Sequence, residues 1–202
     1  MLLLKKMINS AYNAYTTGVS DFRETSTTGD RDYEMRTTYE SDLISDNVSN
    51  YDIGKYDIME IATWFLAKET MTHLKLQKLC YYAQAWFYTL KGFRLMNSDF
   101  QAWVHGPVSP ELYEKFKCFG FSSIRLAEKY VSQIEDADLE LLESVWETYG
   151  DRTGNALEAL SHTEKPWIDA RIGYSPNERC NVVITPESMI EYYSSIYIGG
   201  EA

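Results

Sequence analysis

Residues 73–92, HLKLQKLCYYAQAWFYTLKG, constrain the fold of this chain more than any other stretch. Leu76, Leu79, Cys80, Ala83, Trp86, Phe87 and Leu90 recur at helical spacing, and Tyr81, Tyr82 and Tyr88 widen the stripe until it nearly encircles the helix. A helix of that kind has no face to give to water, so neighbouring elements must cover it on every side. Thr72 offers an N-cap hydroxyl, and Gly92 is the residue type that ends helices in a left-handed turn. The sequence therefore predicts a central core helix with a bundle built around it.

The flanking patterns supply the bundle. YDIMEIATWFLAKE, from Tyr56, places Ile58, Ile61, Ala62, Phe65 and Leu66 on one helical face. FQAWV reads as a short extended segment that Gly106-Pro107 breaks, because the residue before a proline is driven out of the α region. Ser109-Pro110-Glu111 is a helix start: a capping hydroxyl, a proline at the first helical position and a carboxylate near the positive helix end. Leu112, Tyr113 and Phe116 follow on that helix, and Thr185-Pro186-Glu187 repeats the start signal before SMIEYYSSIY. Between these, DADLELLESVWETYG carries a stripe of Leu139, Leu142, Val145, Trp146 and Tyr149, and GNALEALSH and PWIDAR form two short helices about a proline-marked turn. Residues 117–133 show no readable period. The expected fold is mainly α, a single compact helical domain over 55–202 with a small β element near Trp103 and residues 181–184.

A different composition precedes it. Residues 16–50 are rich in Thr, Ser, Asp and Asn and bury too little apolar surface to offset their ordering entropy. Leu3, Leu4, Met7, Ile8, Ala11 and Tyr15 fall near helical spacing, but a helix so short needs a surface to dock on. Residues 1–54 are thus expected to be an N-terminal extension, a short helix and then a flexible polar stretch. MLLLKKMI lacks the order and the cleavage site of a signal peptide.

A net charge of −11 with no cluster of Lys and Arg argues against nucleic acid or an anionic membrane as partner. Such a surface suits solubility or a basic protein. The 16 Tyr, 8 Phe and 5 Trp favour a compact core with a rim suited to protein contact. Three cysteines without CxxC spacing fit a reducing, cytoplasmic setting, with Cys80 and Cys118 read as small core hydrophobes. No apolar run reaches the roughly 20 residues that span a bilayer.

Catalytic chemistry finds little footing. His73, His105 and His162 lie in separate segments with no HExxH-type spacing, so no metal is assigned. Each imidazole is read as tying a helix end to a neighbouring loop. No phosphate loop, GxSxG elbow or dinucleotide fingerprint is present, and no catalytic or cofactor-binding residue is assigned. Asp136/Asp138 and Glu140/Glu143 read as a solvated helix face. Lys75, Gln77 and Lys78, near the start of the apolar helix, read as rim side chains that snorkel to solvent or touch a partner.

LKLQKLCYYAQAW, then QAWVHGPVSPELYEKFK, then LSHTEKPWIDAR resemble, in order and spacing, the Panacea domain, the SocA-like antitoxin family. The resemblance spans about Tyr56 to Tyr197, and Cys80 departs from the aliphatic residue usual at its position. It implies a non-enzymatic antitoxin of bacteria, phages or other mobile elements. Such a protein binds a co-encoded toxin directly or, in one lineage, presents it to a Clp-type protease. The motif residues it singles out, as structural or partner-binding, are Lys75, Gln77, Lys78, Tyr82, Trp103, His105, Gly106, Pro107, Tyr113, His162, Pro166 and Trp167. Trp103, His105 and Tyr113 are expected to pack the Gly-Pro corner against the turn at His162–Trp167. The competing readings are a metal-dependent or Cys/His hydrolase and a phage-encoded acidic regulator without a toxin partner.

Overall fold

The computed structural model describes residues 53–126 and 130–198. The N-terminal helix and the polar stretch expected over residues 1–50 lie outside the described residues. Among the described residues seven α-helices run in the order α1 (Ile58–Lys68), α2 (His73–Lys91), α3 (Pro110–Phe116), α4 (Asp136–Tyr149), α5 (Gly154–Ser161), α6 (Lys165–Ala170) and α7 (Pro186–Ile198), and two two-stranded sheets lie among them. The fold is mainly α, as the sequence predicts.

Helix α2 is the axis of the bundle, and α1, α4, α5 and α7 pack around it. Every residue from Lys75 to Tyr88 is buried. Both predicted ends hold: Thr72 Oγ1 accepts from the Lys75 N–H at 3.3 Å, and Gly92 takes the left-handed conformation at φ +68°. The aromatic core sits between α2, α4 and α7. Tyr82 stacks on Tyr149 at 4.1 Å, the Trp86 indole N–H donates to the Tyr149 hydroxyl at 3.0 Å, and Tyr193 lies 5.1 Å from Trp86.

The β elements are small. Strands β2 (Gln101–Trp103) and β3 (Gly106–Val108) form an antiparallel hairpin in which Trp103 faces Gly106. Val182 accepts the Ala102 N–H at 2.9 Å, and Ile184 donates to Phe100 at 2.8 Å, so the segment foreseen near 181–184 does join this hairpin. Strand β1 (Met71–Thr72) pairs with β4 (Ser123–Ile124), after a short 3-10 turn at Lys117–Phe119. Two-residue strands and a single tight turn leave no periodicity, which is why residues 117–124 are unreadable in the sequence.

Expectations fail at Cys118 and Asp138. Cys118 is exposed, whereas Cys80 and Cys180 are buried, because the 3-10 turn carries Cys118 outward. Asp138 is buried rather than solvated: it accepts from Lys55 Nζ at 2.6 Å and from the Tyr56 hydroxyl at 2.8 Å. Hydrogen bonds to Asp138 and then Glu135 hold the Lys55 ammonium well above its ordinary range. This pins the residues that lead into α1 onto the start of α4.

Candidate functional site: an aromatic groove at the hairpin corner

The polar residues near the start of α2 are not at a solvated rim. Lys75, Gln77 and Lys78 are 7%, 1% and 0% exposed, and each serves the backbone of a neighbouring element. Gln77 exchanges two hydrogen bonds with Ser109: its Nε2 donates to the Ser109 carbonyl at 3.1 Å, and the Ser109 N–H donates to its Oε1 at 2.8 Å. Lys78 Nζ donates to the Pro107 carbonyl at 3.1 Å, and Lys75 Nζ to the Gly150 carbonyl at 2.6 Å. Isolation from water pulls the Lys78 ammonium down to about 7. Buried backbone carbonyls need donors, and the long side chains of one central helix supply them.

Gly106 completes this corner. It sits at φ +89°, and a Cβ there would lie 2.6 Å from Lys78 Cε and 2.7 Å from Ser161 Oγ. Pro107 follows in β3, and Ser109 then caps α3, its Oγ accepting from the Leu112 N–H at 3.2 Å.

A second clamp comes from α6. Pro166 is buried in its first turn, and the Trp167 indole donates to the Trp103 carbonyl at 3.0 Å. Arg171 donates to the Ala102 carbonyl at 2.8 Å while its guanidinium lies 5.1 Å from the Trp167 ring centre. Before this helix, the buried Glu164 carboxyl accepts from Tyr193 at 2.8 Å and from Tyr82 at 3.3 Å. Burial pushes it up to about 8, against the pull of those two hydroxyls. Glu158, Glu164 and Arg171 are singled out by no sequence argument. Glu164 and Arg171 stand inside the third motif block, but their burial is a product of tertiary packing.

These anchors frame a groove of about 910 Å³ between the N-terminal turns of α2 and α5, the hairpin and α3. Leu74, Trp103, Val108, Tyr113 and Phe121 supply its apolar lining, and Gln77 also reaches it. Trp103 packs edge-on against Tyr113 at 5.0 Å. The three histidines border the same groove although they lie far apart in sequence. Their environments differ from one another. His105 is largely solvent-facing, 76% exposed at its side chain, and ties the hairpin turn to Glu158 of α5 at 2.8 Å. His162 stacks on Trp167 at 4.1 Å, but its Nε2, like His73 Nδ1, is buried without a hydrogen-bond partner. Desolvation first, and the nearby Lys78 charge, lower both imidazoles below their usual range. Among the described residues no group of three or more His, Cys, Asp or Glu side chains is placed to hold a metal.

The contrast between Gln77 and His105 is measurable. Gln77→Ala strands a buried N–H and a buried carbonyl, and is expected to cost about 2 kcal/mol or more. His105→Ala removes an exposed pair worth under about 1 kcal/mol. Urea unfolding of both variants checks the order; equal losses would contradict this account of the corner.

The family model described as Antitoxin SocA-like, Panacea domain matches residues 76–168. A curated relative, Antitoxin SocA of Caulobacter vibrioides (strain NA1000 / CB15N), is 37% identical over 109 residues, covering 48% of this chain and 58% of the relative. The chain thus spans less than two thirds of that relative's length. No solved structure matches. Over residues 76–168 the chain is similar to the SocA-like Panacea domain. The matched span contains all of the groove lining except Thr72, His73 and Leu74.

Proposed function

We propose that this chain is an antitoxin that neutralises a toxin encoded beside it by direct protein contact. The match of residues 76–168 to the SocA-like Panacea family is the observation that carries this reading. The site supports it. Motif side chains fasten the hairpin corner, through Lys78 to Pro107, Gln77 to Ser109 and Trp167 to Trp103. A rigid, aromatic-lined surface is what recognition of a folded protein requires. The net charge of −11 favours encounter with a basic partner. No described helix is long and apolar enough to cross a membrane. A cytoplasmic setting, and a gene carried by a bacterium, phage or other mobile element, belong to the same proposal.

Co-expression tests it. The product of the adjacent open reading frame, tagged and purified, should bring this chain with it at a fixed stoichiometry. Absence of a complex, with protection lost in a Clp-deficient host, would replace direct neutralisation by a proteolytic-adaptor mechanism. Stoichiometric zinc that disappears in a folded His162→Ala variant would instead favour the hydrolase reading.

A further inference from the structure

Resting on the antitoxin reading, we propose that the groove at the hairpin corner is the toxin-docking surface, and that its occupant is a protein segment with a bulky apolar anchor beside a basic residue. Three observations converge on it. The groove is built before any partner arrives: Gln77, Lys78, Trp167 and Arg171 fasten its hairpin wall from two sides by donating to the carbonyls of Ser109, Pro107, Trp103 and Ala102. Binding at such a surface loses little conformational entropy, so its contacts convert efficiently into affinity. Its volume of about 910 Å³ accommodates several side chains, not a single one.

The second observation is its aromatic mouth. Trp103 and Tyr113 form one wall, and Phe121 stands fully exposed beside Gly120, whose φ of +52° turns the chain outward there. Large aromatic side chains of this kind become anchor residues when a partner excludes water from them. An unpartnered phenylalanine at the edge of a concave surface is otherwise an unfavourable exposure.

Charge decides what fits. Glu158 is the carboxylate in the lining, and its partner there is the exposed imidazole of His105. His73 and His162 lose their positive charge readily in this setting. With a chain carrying −11 behind it, the groove presents a neutral-to-negative lining, which disfavours an anion and suits Lys or Arg next to an apolar anchor. A basic group displaces His105 from Glu158 and takes its place.

The test uses the full chain and the purified product of the adjacent open reading frame. Phe121→Asp and Ala159→Arg alter exposed groove residues; Ile172→Asp alters an exposed residue outside the groove. Melting temperatures of all three should match the parent. The two groove variants should bind at least about thirtyfold more weakly, the control within about threefold, and Glu158→Gln should reduce the salt dependence of binding. Parent-like affinity in both groove variants, or loss confined to Ile172→Asp, overturns the docking surface while leaving the antitoxin reading intact. Failure of the parent protein itself to bind overturns both.

Discussion

Gly106→Ala is expected to destabilise the domain by about 3 kcal/mol or more, enough to unfold a large fraction of a marginally stable protein. Two costs add. An L-residue at φ +89° is strained, by about 1–2 kcal/mol. The new methyl group also overlaps Lys78 Cε at 2.6 Å and Ser161 Oγ at 2.7 Å. Lys78 is wholly buried and held by the Pro107 carbonyl, so it has no open path of retreat. Gly173 is the matched control: its φ is +90°, but a Cβ there meets nothing within 4 Å. Gly173→Ala should therefore show the backbone cost alone. Chemical unfolding of the two variants side by side separates the terms, and equal losses would refute the close approach of Lys78.

Glu164→Gln is expected to reverse the order of stability between parent and variant across one pH window. The folded-state carboxyl is raised to about 8 from an ordinary value of 4.5, so the folded protein keeps a proton that the unfolded chain releases. Stability from this group is complete below about pH 4.5 and falls as pH rises toward about 8, by up to about 1.4 kcal/mol per pH unit. Glutamine cannot ionise, and its carbonyl still accepts from Tyr82 and Tyr193. Its unpaired amide costs about 1–2 kcal/mol at pH 5, where the parent should be the more stable protein. At pH 8 the variant should be the more stable by a similar or larger margin. Lys78 works in the opposite sense. Lowered to about 7 from 10.5, it makes stability rise with pH between those values, and that slope should survive in the variant. Melting curves from pH 4.5 to 9 test this, and parallel curves for parent and variant would exclude Glu164 as the source.

The helices were legible because their signals are local. Thr72, Ser109 and Gly92 act within one turn, and the stripe of α2 needs nothing beyond its own spacing. The extended segment at Trp103 was legible, but its return strand was not: Gly106-Pro107 reads as a break, whereas Gly106–Val108 pairs back on Gln101–Trp103. What could not be read is what depends on distant partners. Lys75, Gln77 and Lys78 look like a polar rim until the carbonyls of Gly150, Ser109 and Pro107 are brought against them. Asp138 looks solvated until Lys55 and Tyr56 cover it. Cys118 looks buried because Phe116 and Phe119 flank it, yet a 3-10 turn reverses its direction. The groove shows the same limit: Trp103, His105, Tyr113 and His162 were recognisable as motif residues, but nothing local placed them around one concavity with His73 and Phe121.

The central claim is neutralisation of a toxin, and a growth measurement tests it most directly. The adjacent open reading frame is induced in cells with and without this protein. The account predicts arrested growth without it, restored growth with it, and recovery of the two products as one complex. A harmless neighbour, or growth that stays arrested while this chain is present and folded, would contradict it.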